Sequence, residues 1–183
     1  MKQDLAGWLL SVAALAPVAT AAPAHTFTEE GTRYTFTCEF TVAGDPDRVL
    51  DLLYRFEHLQ RFSQPISKVE LLAEGPGWQS VRFTYATWLG SLVTTFRREL
   101  DQPGRTIRFH MTETRRTGLP LPMPTASAGE YRLEPVTGGV HVIYRQAGET
   151  SDSLLLRPWM SRARSEAVRF AEGLEAYIRS PAQ

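Results

Sequence analysis

"LLLRPWMSRARSEAVRFAEGLEAYI", residues 154–178, decides the fold. Its four arginines point toward an anion, its apolar residues toward a membrane or a sheet. A helical wheel at about 100° per residue separates these readings. Ala163, Ala167, Phe170, Ala171, Leu174, Tyr177 and Ile178 fall in one arc, and Trp159 and Met160 join it. Arg162, Arg164, Arg169, Glu172 and Glu175 lie outside that arc. The polar side mixes both signs, with Arg162 ahead of Glu166 and Glu175 ahead of Arg179 at helical spacing. A nucleic-acid helix would be basic without the glutamates, and a membrane-surface helix would carry more lysine and bulkier apolar residues. The stretch therefore reads as a helix packed on a sheet.

The sheet lies upstream. Residues 33–42, "RYTFTCEFTV", alternate Tyr34, Phe36, Cys38, Phe40 and Val42 with polar residues, the pattern of a strand with one face in a core. "AGDPDRVLDLLYRFEHL" then starts a helix, with Asp45 as N-cap, Pro46 at the first helical position, and a stripe of Val49, Leu50, Leu53 and Phe56. A second short turn covers 59–62. Five or six strands follow at 66–74, 78–89, 91–101, 105–115, 129–136 and 139–149, divided by glycine- and proline-rich turns. Links this short make an antiparallel meander.

Residues 1–24 differ from the rest. Lys2 precedes the uncharged run "LAGWLLSVAALA", too short to span a bilayer comfortably, and Pro17 breaks it. Small residues follow, with signal-peptidase patterns ending at Ala21 and at Ala24. The expectation is a secretory signal over 1–24 and a single domain over 25–183, exported to a periplasm or secreted. A formal net charge of zero argues against a general affinity for nucleic acid. Cys38 is the only cysteine, so neither an internal disulfide nor a thiolate metal site can form.

Strand, two short helices, antiparallel strands and one long closing helix is an order that resembles the START-like (SRPBCC) superfamily. Local stretches carry the same resemblance: "VAGDPDRVLDLL" with Pro46 and Val49, "RFSQPISKVELL" with Pro65, and "LLLRPWMSRA" with its Pro-Trp pair. Phe62 stands where that group often has tryptophan. The resemblance implies an α+β helix-grip fold, a curved antiparallel sheet around the C-terminal helix with an apolar cavity between. It makes Val81, Phe83, Tyr85, Leu92, Phe96, Phe109, Met111, Tyr131, Val142 and Tyr144 candidate cavity walls. The helix would add Trp159, Ala163, Ala167 and Phe170, the two alanines leaving room for a guest. The same residues could instead fill a solid core by packing on one another.

Little in the sequence points to covalent chemistry. His25, His58, His110 and His141 lack metal-ligand spacing, and there is no nucleophile elbow, phosphate loop or dinucleotide fingerprint. Arg97, Glu99, His110 and Glu113 occupy neighbouring strands, but their phase and charged surroundings place them on the convex face. "TGLPLPMPTASAG", 117–129, reads as a stiff apolar loop because its prolines remove backbone donors. Its Leu119, Leu121 and Met123 could cover the cavity mouth, touch a membrane or delivery partner, or pack on the last helix. The expected function is binding or carriage of a hydrophobic small molecule (lipid, isoprenoid or polyketide) without cofactor, metal or catalysis. A cyclase or aromatase using polar cavity groups, and an interaction module with a collapsed cavity, are the alternatives.

Overall fold

The computed structural model describes residues 23–62, 66–87, 90–118, 123–151 and 156–180, with backbone alone at 62, 87, 156 and 159. A hairpin of β1 (Ala24–Glu30) and β2 (Arg33–Val42) opens the chain. β1 escapes a reading by periodicity because it is exposed at nearly every position, with only Phe27 half-buried. Pairing with β2 from Ala24↔Glu39 to Glu30↔Arg33 holds it instead, and Phe27 stacks on Tyr34 at 5.7 Å.

Asp45 caps α1 (Pro46–Tyr54), its Oδ1 accepting from the Asp47 and Arg48 amides at 2.9 and 3.0 Å. Arg55 leaves helical geometry with ψ 117°, so Phe56 heads a second helix, α2 (Phe56–Phe62), and does not extend the first. Six strands follow: β3 (Lys68–Gly75), β4 (Trp78–Thr87), β5 (Gly90–Asp101), β6 (Thr106–Gly118), β7 (Pro124–Val136) and β8 (Gly139–Thr150). The closing helix is α3 (Leu156–Arg179). All neighbours in the sheet are antiparallel, in the order β1-β2-β8-β7-β6-β5-β4-β3. The two short helices make its one crossover, carrying the chain from β2 to the far edge at β3. The meander then returns until β8 closes on β2.

The expectation of a strandless loop over 117–129 is overturned on both sides. Thr117 and Gly118 finish β6, and Pro124 opens β7 opposite Thr150. Proline is harmless at a first strand position, where no ladder donor is required. The Met123 carbonyl just ahead of it accepts from the Ser151 amide at 2.8 Å and the Thr150 hydroxyl at 3.2 Å. Leu119 and Leu121 lie outside the described residues, as does the Trp159 side chain.

α3 packs its apolar arc on the sheet. Met160, Ala171, Leu174 and Ile178 are buried, Leu174 completely, and the last three share a core with Phe36, Cys38 and Phe40 of β2 and Val49, Leu50 and Leu53 of α1. The helix runs in the same direction as β2. Arg164 near its start reaches Glu29 at 3.5 Å, and Arg179 at its end donates to the Thr41 carbonyl at 2.9 Å. The start of α3 therefore lies at the end of the sheet remote from α1, and that end holds the cavity described next.

Candidate functional site

Alternation places one aromatic residue after another on the face beneath α3. Phe83 meets Phe96 at 5.7 Å, Phe96 meets Phe109 at 5.9 Å, and Phe109 meets Tyr131 at 5.8 Å. Tyr131 meets Tyr144 in a tilted contact at 4.7 Å, and Tyr144 reaches Phe170 of α3 at 5.0 Å. Backbone lets these rings lie close. A Cβ on Gly129 would come within 2.5 Å of the Phe109 ring, and one on Gly148 within 2.4 Å of the Tyr34 ring. Glycine at these two places thus lets the Phe109 and Tyr34 rings lie over the neighbouring strand.

Beyond the aromatic row, toward the start of α3, the packing opens into a semi-enclosed cavity of about 120 Å³. Leu92, Phe96, Met111 and Pro124 supply its apolar wall. Tyr34, Tyr85, Thr94, Ser127 and Gln146 supply the polar wall. The sheet parts at this place. β6 pairs with β7 only from Thr106↔Arg132 to His110↔Ala128, although β6 stays on β5 as far as Gly118 and β7 stays on β8 from Pro124. Met111 and Ser127 flank the opening, and the register break between Thr95 and Phe96 bends the strands there.

The polar wall is a directed network. The Tyr144 hydroxyl donates to Gln146 Oε1 at 2.8 Å, and Gln146 Nε2 donates to Ser127 Oγ at 2.9 Å. Ser127 in turn interacts with the Tyr34 hydroxyl. Burial raises the pKa of Tyr34, an effect partly offset by Ser127. Burial pushes Tyr85 up to about 12 and raises Tyr144 well above its ordinary value, with neighbouring Tyr131 adding to the latter. All these phenols are neutral hydrogen-bonding groups at physiological pH. Thr94, only 3% exposed, is the exception to satisfaction. Its hydroxyl sits close enough to Tyr85 to offset part of the burial effect there, yet has no partner in hydrogen-bonding geometry.

Four of the residues that the family resemblance places on the wall, Tyr85, Leu92, Phe96 and Met111, line this cavity. Val81, Phe83, Phe109, Tyr131, Val142 and Tyr144 are buried in the core, and Ala167 and Phe170 pack against it. Ala163 is half-buried on the same helix. Met123 is half-buried at the foot of β7, its amide donating to Ser151 Oγ at 3.0 Å. Tyr34, Thr94, Pro124, Ser127 and Gln146 complete the wall without having been singled out. Tyr34, Thr94 and Gln146 share the inward phase of Phe36, Phe96 and Tyr144, so the signal was a polar residue in an apolar phase. Ser127 and Pro124 were hidden in the stretch read as a loop.

The ionisable groups of the outer strands stand elsewhere. His110 is exposed, Arg97 bonds Glu99 at 2.8 Å and lies 4.2 Å over the Trp78 ring, and Arg115 pairs with Glu113 at 3.0 Å. All lie on the convex face. No group of three or more potential metal ligands occurs among the described residues, and no described helix is long and apolar enough to cross a membrane.

A curved antiparallel sheet gripping a C-terminal helix over a partly polar cavity defines a helix-grip domain. Residues 27–178 match the family model described as polyketide cyclase / dehydrase and lipid transport, and the chain belongs to that family. The aromatase/cyclase Zhui from Streptomyces sp. R1128 is similar in structure, with a TM-score of 0.65 at 22% identity over 79% of this chain and 93% of that one. A STAR-related lipid transfer protein fragment from Xanthomonas axonopodis gives 0.64 at 16% identity, over 87% of this chain and 100% of that one. No curated protein matches the chain.

Proposed function

We propose that this domain binds and carries a hydrophobic small molecule, with no covalent step. The observation that carries this reading is the cavity itself, apolar along Leu92, Phe96 and Met111 and neutral-polar along Tyr34, Tyr85, Thr94 and Ser127. Apolar burial yields about 25 cal/mol per Å², so a ligand needs few polar contacts there to be held. The remainder of a long ligand would extend through the open side, since 120 Å³ holds only part of a lipid-sized molecule.

The carriage is proposed to take place outside the cytoplasm, on the strength of the signal-like residues 1–24. A cut after Ala21 leaves β1 whole, because that strand begins at Ala24. N-terminal sequencing of material recovered from outside the cytoplasm tests this. An intact Met1 on that material would count against a cleaved signal.

The cyclase reading is favoured by one feature, tyrosine hydroxyls facing the cavity, which could hand a proton to a carbonyl oxygen. Their raised pKa values make them weak acids, which is why binding is preferred. Native mass spectrometry of protein from its own host, with displacement of N-phenylnaphthylamine by the extracted lipids, tests the carrier. A lipid-sized adduct and displacement are expected. An empty protein that takes up no probe sinks it, and turnover of a poly-β-keto thioester would instead establish the enzyme.

A further inference from the structure

The chemical class of the ligand's buried end can be read from the cavity, an inference that rests on the binding function just proposed. Three observations bear on it. The first is size: 120 Å³ is close to the cavity of about 150 Å³ that accommodates benzene in an engineered protein core, so the seat takes one six-membered ring. The second is charge. None of the nine described lining residues is a lysine, arginine, histidine, aspartate or glutamate. Arg116 lies across from Leu92 on β6, but it is exposed and outside the lining. A carboxylate entering this seat would lose its water without gaining a counter-charge, a cost of several kcal/mol by general estimates.

The third observation is the direction of the hydrogen bonds. Tyr144 donates to Gln146 and Gln146 donates to Ser127, so the network spends its donors in sequence toward Tyr34. Tyr34 and Tyr85 both line the seat, and a phenol hydroxyl there can donate to a ligand oxygen. Thr94 adds a buried hydroxyl with no partner, beside that of Tyr85. A buried hydroxyl left unpaired is costly in a folded protein, and a ligand oxygen that both accepts and donates would satisfy it.

We infer that the cavity seats an uncharged ring bearing a hydroxyl or keto oxygen, with Thr94, Tyr85 and Tyr34 as its polar contacts. Phenolic, quinone-like and sterol-like heads have this chemistry. Fatty acids and other carboxylates do not.

Three ring compounds of similar size test it by calorimetry on the whole mature domain: p-cresol, toluene and p-toluate. The p-cresol is expected to bind at least about tenfold more tightly than toluene, the effect of one buried hydrogen bond to an otherwise unpaired group. It should exceed p-toluate by at least as much. Thr94→Val is near-isosteric and deletes a hydroxyl that bonds nothing, so the variant should fold at least as stably while losing most of the p-cresol preference. Equal binding of p-cresol and toluene, tighter binding of p-toluate, or an unchanged preference in Thr94→Val overturns the inference. So does failure of all three to bind. If N-phenylnaphthylamine still binds in those cases, the binding function stands and only the ligand class falls; if it does not, both fall.

Discussion

Arg98 Nη1 donates to the carbonyl oxygen of Tyr54 across 2.7 Å, so a side chain from β5 closes the C-terminal end of α1. Its Nη2 donates to the Leu53 carbonyl, and the Gln79 amide also reaches the Tyr54 carbonyl. Arg98 is only 2% exposed, and burial pushes its pKa down to about 10, so it is still cationic near neutrality. The partial negative charge of a helix end offsets part of the cost of burying that cation, and the Tyr54 ring lies 5.7 Å from it. Arg98→Met leaves helix-terminal carbonyls without their donor and should cost about 2–4 kcal/mol in urea unfolding. Arg98→Lys should recover only part, since one ammonium cannot span two carbonyls as the guanidinium fork does. Equal stability of Arg98→Met and the parent would show that water replaces the donor.

Gly148 faces Tyr34 across β8 and β2, and its missing Cβ is what allows the Tyr34 ring to lie over the strand. Gly148→Ala should cost about 1–3 kcal/mol by overpacking and weaken binding of N-phenylnaphthylamine by turning the ring into the cavity. In a Tyr34→Ala background the same substitution should be nearly free. A double-mutant cycle reads this as a coupling energy, and additive costs would locate the strain elsewhere.

Ala167 packs against the core two turns before Leu174, which is completely buried. Leu174→Ala should cost about 2–5 kcal/mol, as for other fully buried leucines. Ala167→Trp should cost about 1–3 kcal/mol, because the row from Phe109 through Tyr144 to Phe170 already fills the space beneath. An Ala167→Trp variant as stable as the parent would reveal a void large enough for a ligand under mid-helix.

The same row explains how far the sequence could be read. Period-two strands such as Arg33–Val42 and the wheel of Leu156–Arg179 name which side chains turn inward, and the helix grip follows from them. β1 was illegible because an exposed edge strand has no apolar period, only a ladder to its neighbour. Proline composition concealed the start of β7, since the ring at Pro124 falls where no donor is needed. Inward phase, moreover, cannot separate a wall from a filler. Phe96 lines the cavity and Phe109 is packed into the core, although they touch at 5.9 Å and share a face. What separates them is where β6 leaves β7 after His110, a long-range fact that no local pattern encodes.

Burial of so many phenols predicts an alkaline weakness. Burial pushes Tyr85 up to about 12, raises Tyr131 against a partial offset from the Arg98 charge, raises Tyr144 with help from neighbouring Tyr131, and pushes the Cys38 thiol up to about 12. These folded-state pKa values exceed the unfolded ones. Above about pH 10 the unfolded chain has therefore released phenol protons that the folded chain still holds, and stability falls by about 1.4 kcal/mol per pH unit for each such group. Arg98 has the opposite sign, its folded pKa being lowered, and adds stability as pH rises through about 10. One arginine does not offset three tyrosines and a cysteine. Urea midpoints should hold to about pH 9 and then drop steeply by about pH 11. Tyrosinate absorbance from the buried phenols should appear together with unfolding. Tyr144→Phe removes one titrating group and should make the drop shallower, though it also deletes the 2.8 Å bond to Gln146 and lowers stability at neutral pH. A folded protein whose tyrosines all ionise near pH 10 with no loss of stability would mean that water reaches the aromatic row, and with it the floor of the cavity.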